Sequence, residues 1–132
     1  MPDLCIFNLI RMRNVLAFSD DRKLLNEIKG ILSQEDFNVA FCPVDKFLGQ
    51  RLRSSHYNLV LLDLDVPDTD TIDMIHTVFE ISPATRIIVL FTDYEKDKLS
   101  EYLQVGVRDI LAKPLHPQLV IERVESVLAK VS

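Results

Sequence analysis

Apolar runs alternate with helix-period segments five times along the chain. Residues 14–19 (NVLAFS) form a strand-like run. Leu24, Leu25, Ile28, Ile31 and Leu32 then recur on one face of a helix. Residues 38–41 (NVAF) predict a second strand, with Phe47, Leu48 and Leu52 marking a short second helix. Residues 59–64 (LVLLDL) are apolar without alternation, as expected of a strand covered by helices on both faces. Ile72, Ile75, Val78 and Phe79 line a third helix that ends before Pro83. A fourth strand, residues 86–91 (RIIVLF), precedes a helix carrying Leu99 and Leu103 and stopped by Gly106. Residues 109–112 (DILA) predict the fifth strand, and Leu119, Val120, Val124, Val127, Leu128 and Val131 the fifth helix.

Five βα units joined by short turns predict an α/β domain with a doubly wound, five-stranded parallel sheet and right-handed crossovers. The flavodoxin-like order 2-1-3-4-5 is the economical arrangement, and its crevice lies at the carboxyl ends of the first and third strands. The pattern assigns residues 13–132 to this domain and residues 1–12 to an N-terminal extension.

Composition narrows the function classes. The 132 residues are 48% hydrophobic and 27% charged, which fits one globular domain. A net charge of −5, with seven of the 15 basic residues scattered after residue 85, argues against a direct nucleic-acid surface. No apolar run is long enough for a bilayer span, so no membrane contact is expected. The run LCIFNLI (residues 4–10) is too short for a signal peptide and is followed, not preceded, by Arg11 and Arg13. Cys5 and Cys42 lie far apart without metal-ligand spacing, and His56, His76 and His116 stand alone. Reduced thiols and a cytoplasmic location are the expectation.

The polar residues at the strand ends carry the candidate chemistry. Asp20 and Asp21 follow the first strand, Asp63 ends the third, Thr92 follows the fourth and Lys113-Pro114 follows the fifth. A doubly wound sheet brings all of them to one edge. Each alone is ordinary: a strand-end aspartate usually caps a turn, and a threonine there usually caps a helix. Together they resemble a site in which a carboxylate nucleophile attacks phosphorus. Mg²⁺ would balance the acids, and an ammonium and a hydroxyl would meet the phosphoryl oxygens.

With these residues placed, the chain resembles the receiver domain of two-component response regulators over roughly residues 13–131. LVLLDLDVPDTD looks like that family's phosphoacceptor segment, VLFT like its fourth strand and ILAKPL like its fifth. The resemblance implies that Asp63 is the phosphoacceptor, Thr92 the switch hydroxyl and Lys113 the phosphoryl contact before a cis Pro114. It also implies Mg²⁺ held by Asp20, Asp63 and the backbone carbonyl of Asp65, with Asp21 as an alternative second acid. The donor would be a histidine kinase or phosphotransfer protein. Output, or a homodimer, would use the face of the fourth helix, fifth strand and fifth helix, which carries Glu95, Lys96, Lys98, Arg108, Asp109 and Arg123. Such a protein accepts and slowly hydrolyses its own aspartyl phosphate and is not a turnover enzyme.

Four positions depart from that family's pattern. Ser19 stands where an acid is usual, Thr71 where glycine is common, Asp93 where a small residue leaves room for the phosphoryl group, and Ile110 where an aromatic switch residue sits. Ser19, Asp93 and Ile110 favour an alternative, a non-phosphorylated pseudo-receiver that acts as an interaction module. A haloacid-dehalogenase-type phosphatase is a further alternative, since LLDLDVPDT also fits its Asp-x-Asp signature, with Asp65 as general acid and base. That signature ends the first core strand of its fold, whereas half of this domain precedes Asp63.

Overall fold

The computed structural model describes residues 13–43, 45–92 and 96–129. Residues 1–12, where the sequence predicts an extension, lie outside the described residues, as do Asp93, Glu95, Val131 and the side chain of Lys96. Five strands, β1 (Arg13–Phe18), β2 (Phe37–Cys42), β3 (Leu59–Asp63), β4 (Arg86–Phe91) and β5 (Asp109–Ala112), form one parallel sheet in the order β2-β1-β3-β4-β5. The connecting helices are α1 (Arg22–Leu32), α2 (Leu48–Ser54), α3 (Thr71–Ile81), α4 (Lys96–Gln104) and α5 (Pro117–Ala129). The expected doubly wound architecture and strand order are the observed ones.

The alternation of side chains along each strand sorts the core into two halves. Val15, Ala17, Leu59, Leu61, Ile88 and Leu90 face α1 and α5, meeting Leu25, Ile28, Leu32, Val120 and Val124. Leu16, Phe18, Val60, Leu62, Ile87 and Val89 point the other way, onto Leu48 and Leu52 of α2 and Met74, Ile75 and Val78 of α3. Apolar residues on both parities leave no solvent face for the central strands. That is why the sequence reads there as unbroken runs.

Two strand ends fall one residue earlier than the apolar pattern suggests. β1 stops at Phe18, and β3 stops at Asp63 because the Asp63 carboxylate accepts the Asp65 N–H at 2.9 Å and turns the chain. Ser19 and Asp63 therefore sit at the carboxyl rim of the sheet. Beyond α4, Gly106 adopts φ 115°. A side chain there would also meet the Phe79 ring at 3.0 Å, so glycine is required on both counts.

At the opposite rim, Arg13 ties the first strand to the last helix. Its guanidinium makes a two-bond fork to Glu125, at 2.9 and 2.8 Å, and lies 4.2 Å from the centre of the Phe37 ring. The Arg13 bond, against a smaller cost of burial, holds the Glu125 carboxyl below its ordinary value of 4.5. A depressed carboxylate contributes stability above its unfolded pKa and loses it as pH falls through the folded one. Both side chains are partly solvated, so screening limits the contribution to about 1 kcal/mol or less. Glu125→Gln should lower urea-unfolding stability by that amount at neutral pH and low salt. The difference should shrink as pH falls below 4.5 and vanish once the folded carboxyl is protonated, and it should shrink likewise in high salt.

Candidate functional site

The carboxyl rim gathers side chains from four strand ends because their registers are level. Leu62 of β3 pairs with Phe18 of β1, Asp63 pairs with Leu90 of β4, and Phe91 of β4 pairs with Ala112 of β5. Asp63 at the end of β3, and Ser19, Thr92 and Lys113 just after β1, β4 and β5, then share one crevice. The Lys113 N–H bonds the Phe91 carbonyl at 2.7 Å, fixing the backbone from which the lysine reaches inward. The Lys113–Pro114 peptide is cis.

Asp63 lies at the centre and is 4% exposed. Its Oδ1 accepts from Lys113 Nζ at 2.6 Å and from the Asp65 N–H, and its Oδ2 accepts from Ser19 Oγ at 2.6 Å. A buried carboxylate so held has donors on both oxygens and an opposite charge in contact, which offsets the loss of hydration. Ser19, itself buried, also accepts the Asp21 N–H at 3.0 Å. That hydroxyl thus couples the β1–α1 turn to the central carboxylate.

A second carboxylate shares the lysine. Asp65 Oδ2 lies 2.8 Å from Lys113 Nζ and accepts from Thr92 Oγ1 at 2.7 Å. Burial raises the Asp65 pKa, and the bonds from Lys113 and Thr92 outweigh it, leaving the group below its ordinary range. Burial likewise lowers the Lys113 pKa, and the bonds to Asp63 and Asp65 more than compensate, holding the ammonium above its ordinary value.

Of the residues singled out from the sequence, Asp63, Thr92 and Lys113 are brought into one network through Asp65, whose N–H bonds Asp63 and whose carboxylate meets Thr92 and Lys113. Asp20 is exposed at the adjoining strand end. Asp21 is turned away as the N-cap of α1, its Oδ1 accepting from the N–H groups of Lys23 and Leu24 at 3.0 and 3.3 Å. Two contributions escaped the sequence reading: Ser19 as a donor to Asp63, and the Asp65 side chain as a bridge. From the sequence, Ser19 reads only as a missing acid, and the Asp65 side chain has a role only under the phosphatase alternative. The two-residue spacing from Asp63 to Asp65 was the available signal, since the turn that bonds the Asp65 N–H to Asp63 also brings both side chains over one crevice.

The donor set fits a hydrated hard cation. Among the described residues no three His, Cys, Asp or Glu side chains form a metal-holding cage. Mg²⁺ does not need one, because it keeps several waters and takes one or two carboxylates. Asp20, Asp63 and Asp65 against Lys113 leave two negative charges, which suits a divalent ion.

Comparison with known proteins agrees with this geometry. The family model described as "Response regulator receiver domain" matches residues 15–125. The chain belongs to that family, whose members are signalling domains of two-component systems rather than turnover enzymes and generally bind Mg²⁺ at the acidic pocket. It is 29% identical over 116 residues to the cell cycle transcriptional regulator CtrA of Caulobacter vibrioides, covering 88% of this chain and 50% of that protein. The chain thus spans about half the length of that relative. It is 26% identical over 117 residues to the chemotaxis protein CheY of Treponema pallidum, covering 86% and 81%. A response regulator from Thermotoga maritima shares the fold with a TM-score of 0.84 at 23% identity, over 90% of this chain and 99% of that one. No helix among the described residues is long and apolar enough to cross a membrane.

Removing the Ser19 hydroxyl should strip a charge-assisted bond from a buried carboxylate and leave the Asp21 N–H without its acceptor. Ser19→Ala should therefore cost about 1–3 kcal/mol in urea unfolding measured in a metal-free buffer. An unchanged midpoint would show that solvent replaces the bond without loss.

Proposed function

We propose that the protein is a phosphoacceptor receiver domain in which Asp63 takes a phosphoryl group from a histidine kinase or phosphotransfer protein. The observation that carries this reading is the hold on Asp63: a buried strand-end carboxylate with Lys113 on one oxygen and Ser19 on the other. One Asp63 oxygen attacks phosphorus, the P–N bond of the donor phosphohistidine breaks, and the electron pair leaves with the imidazole. Lys113 and Thr92 then draw toward the phosphoryl oxygens and bond them, the lysine offsetting their charge. The carboxylates of Asp20 and Asp63 and the backbone carbonyl of Asp65 would hold Mg²⁺. When bound, the ion neutralises charge on the transferring group. Asp21, engaged in capping α1, is not assigned to it.

Movement of Thr92 and Lys113 would bias the face of α4, β5 and α5 toward a partner or a second copy. Arg123 of α5 forks to Asp109 of β5 at 3.0 and 2.9 Å on this face, and Leu119, one helical turn before it, is exposed. Ile110 of β5, in place of an aromatic switch residue, is half-buried against the apolar cluster of α2 and α3.

A pseudo-receiver that binds partners without phosphorylation is the second reading. It is favoured by Thr92 and Lys113 already being bonded to a carboxylate of the protein. The two readings part on one experiment. Incubation with a small acyl phosphate and Mg²⁺ should add one phosphoryl group to the intact mass, and chelation of the metal or Asp63→Asn should abolish it. Labelling that survives in Asp63→Asn would remove Asp63 as the acceptor. An unlabelled wild type would leave the interaction module as the better account.

A further inference from the structure

The Asp65 side chain has a consequence beyond the role of its backbone carbonyl. One atom, Asp65 Oδ2, accepts the Thr92 hydroxyl at 2.7 Å and contacts Lys113 Nζ at 2.8 Å. These are the two groups that the phosphoacceptor reading assigns to the phosphoryl oxygens. We propose that the Asp65 carboxylate is a resident anion that competes with the phosphoryl group for Lys113 and Thr92, and so sets how readily Asp63 is loaded. This inference rests on Asp63 being the phosphoacceptor.

The chemistry of the donors makes the competition direct. A threonine hydroxyl has one proton and gives it to one acceptor at a time, so Thr92 reaches a phosphoryl oxygen only by leaving Asp65. Lys113 has three N–H donors, one directed to Asp63 Oδ1 and one to Asp65 Oδ2. A phosphoryl oxygen arriving beside it meets the negative charge of Asp65 as well as the positive charge of the lysine. Release is feasible because the Asp65 side chain is 36% exposed and can swing into water, whereas that of Asp63, at 2%, cannot. Asp65 is thus a positioning residue: it holds the switch groups until a stronger anion displaces it.

Asp65→Asn keeps the shape and removes the charge, and bonds to a neutral acceptor are roughly half as strong as charge-assisted ones. Two quantities test the proposal in the full chain with Mg²⁺ present: the rate of acetyl phosphate labelling by intact mass, and the dissociation constant for beryllofluoride, a non-covalent phosphoryl mimic. At saturating Mg²⁺, Asp65→Asn should load about three- to tenfold faster and bind beryllofluoride tighter by a similar factor. Asp65→Ala, which removes the acceptor entirely, should move both quantities the same way and provides the test if the asparagine variant folds poorly. Asp65→Glu, which restores the charge on a longer arm, should return both toward wild type. If the wild type is labelled on Asp63 but Asp65→Asn and Asp65→Ala are no faster and bind no tighter, the competition is wrong while the phosphoacceptor reading stands. If no protein in the series is labelled on Asp63, both fall.

Discussion

A carboxylate buried at the end of a central strand needs a counter-charge, and in this protein Lys113 supplies it. Burying an unpaired carboxylate costs several kcal/mol, comparable with the whole stability of a domain of this size. Lys113 Nζ contacts Asp63 at 2.6 Å and Asp65 at 2.8 Å, so one ammonium serves two acids, and Ser19 and Thr92 complete their hydrogen bonding. The arrangement joins the ends of β1, β3, β4 and β5 across the crevice. Each of these groups reaches the others only because the strands end at the same level.

That level rim is a product of the core. Both faces of the sheet are apolar, and α1 and α5 on one side with α2 and α3 on the other leave water access to the central strands only at their ends. Polar groups in the middle of β3 would be buried without partners, so Asp63 has its place at the first position where donors from neighbouring strands converge. The opposite rim uses its polar residues differently. There Arg13 and Glu125 tie β1 to α5, and Asn14 bonds Asn38 and Asn58 across the adjoining strands. One rim is thus fastened by a partly solvated ion pair and amides. The other holds a shared lysine whose partners could be exchanged for a phosphoryl group.

Much of this was legible in the sequence. The five apolar runs and the helix-period segments between them give the strand order, because a parallel sheet covered on both faces leaves few topologies. The placement of Asp63, Thr92 and Lys113 at one edge follows from that topology alone. What sequence could not supply is the choice of partner for each polar atom. Asp20 and Asp21 are adjacent acids, yet one is exposed after β1 and the other is the N-cap of α1, a difference decided by backbone dihedrals in the turn. Ser19 reads as the loss of an acid, whereas in the fold it is a donor only 2.6 Å from Asp63. Asp65 reads as a backbone ligand to Mg²⁺, and only the turn after β3 brings its carboxylate onto Lys113 and Thr92.

The dependence of the site on Lys113 is tested most directly by a double-mutant cycle between Asp63 and Lys113, followed by urea unfolding in a metal-free buffer. Lys113→Met alone should destabilise the protein by about 3 kcal/mol, because it leaves the buried carboxylate uncompensated. Adding Asp63→Asn should recover most of that loss, giving a coupling energy of about 2 kcal/mol or more. Additive effects of the two substitutions would contradict the account, since they would mean that Asp63 is held at the rim by something other than the lysine.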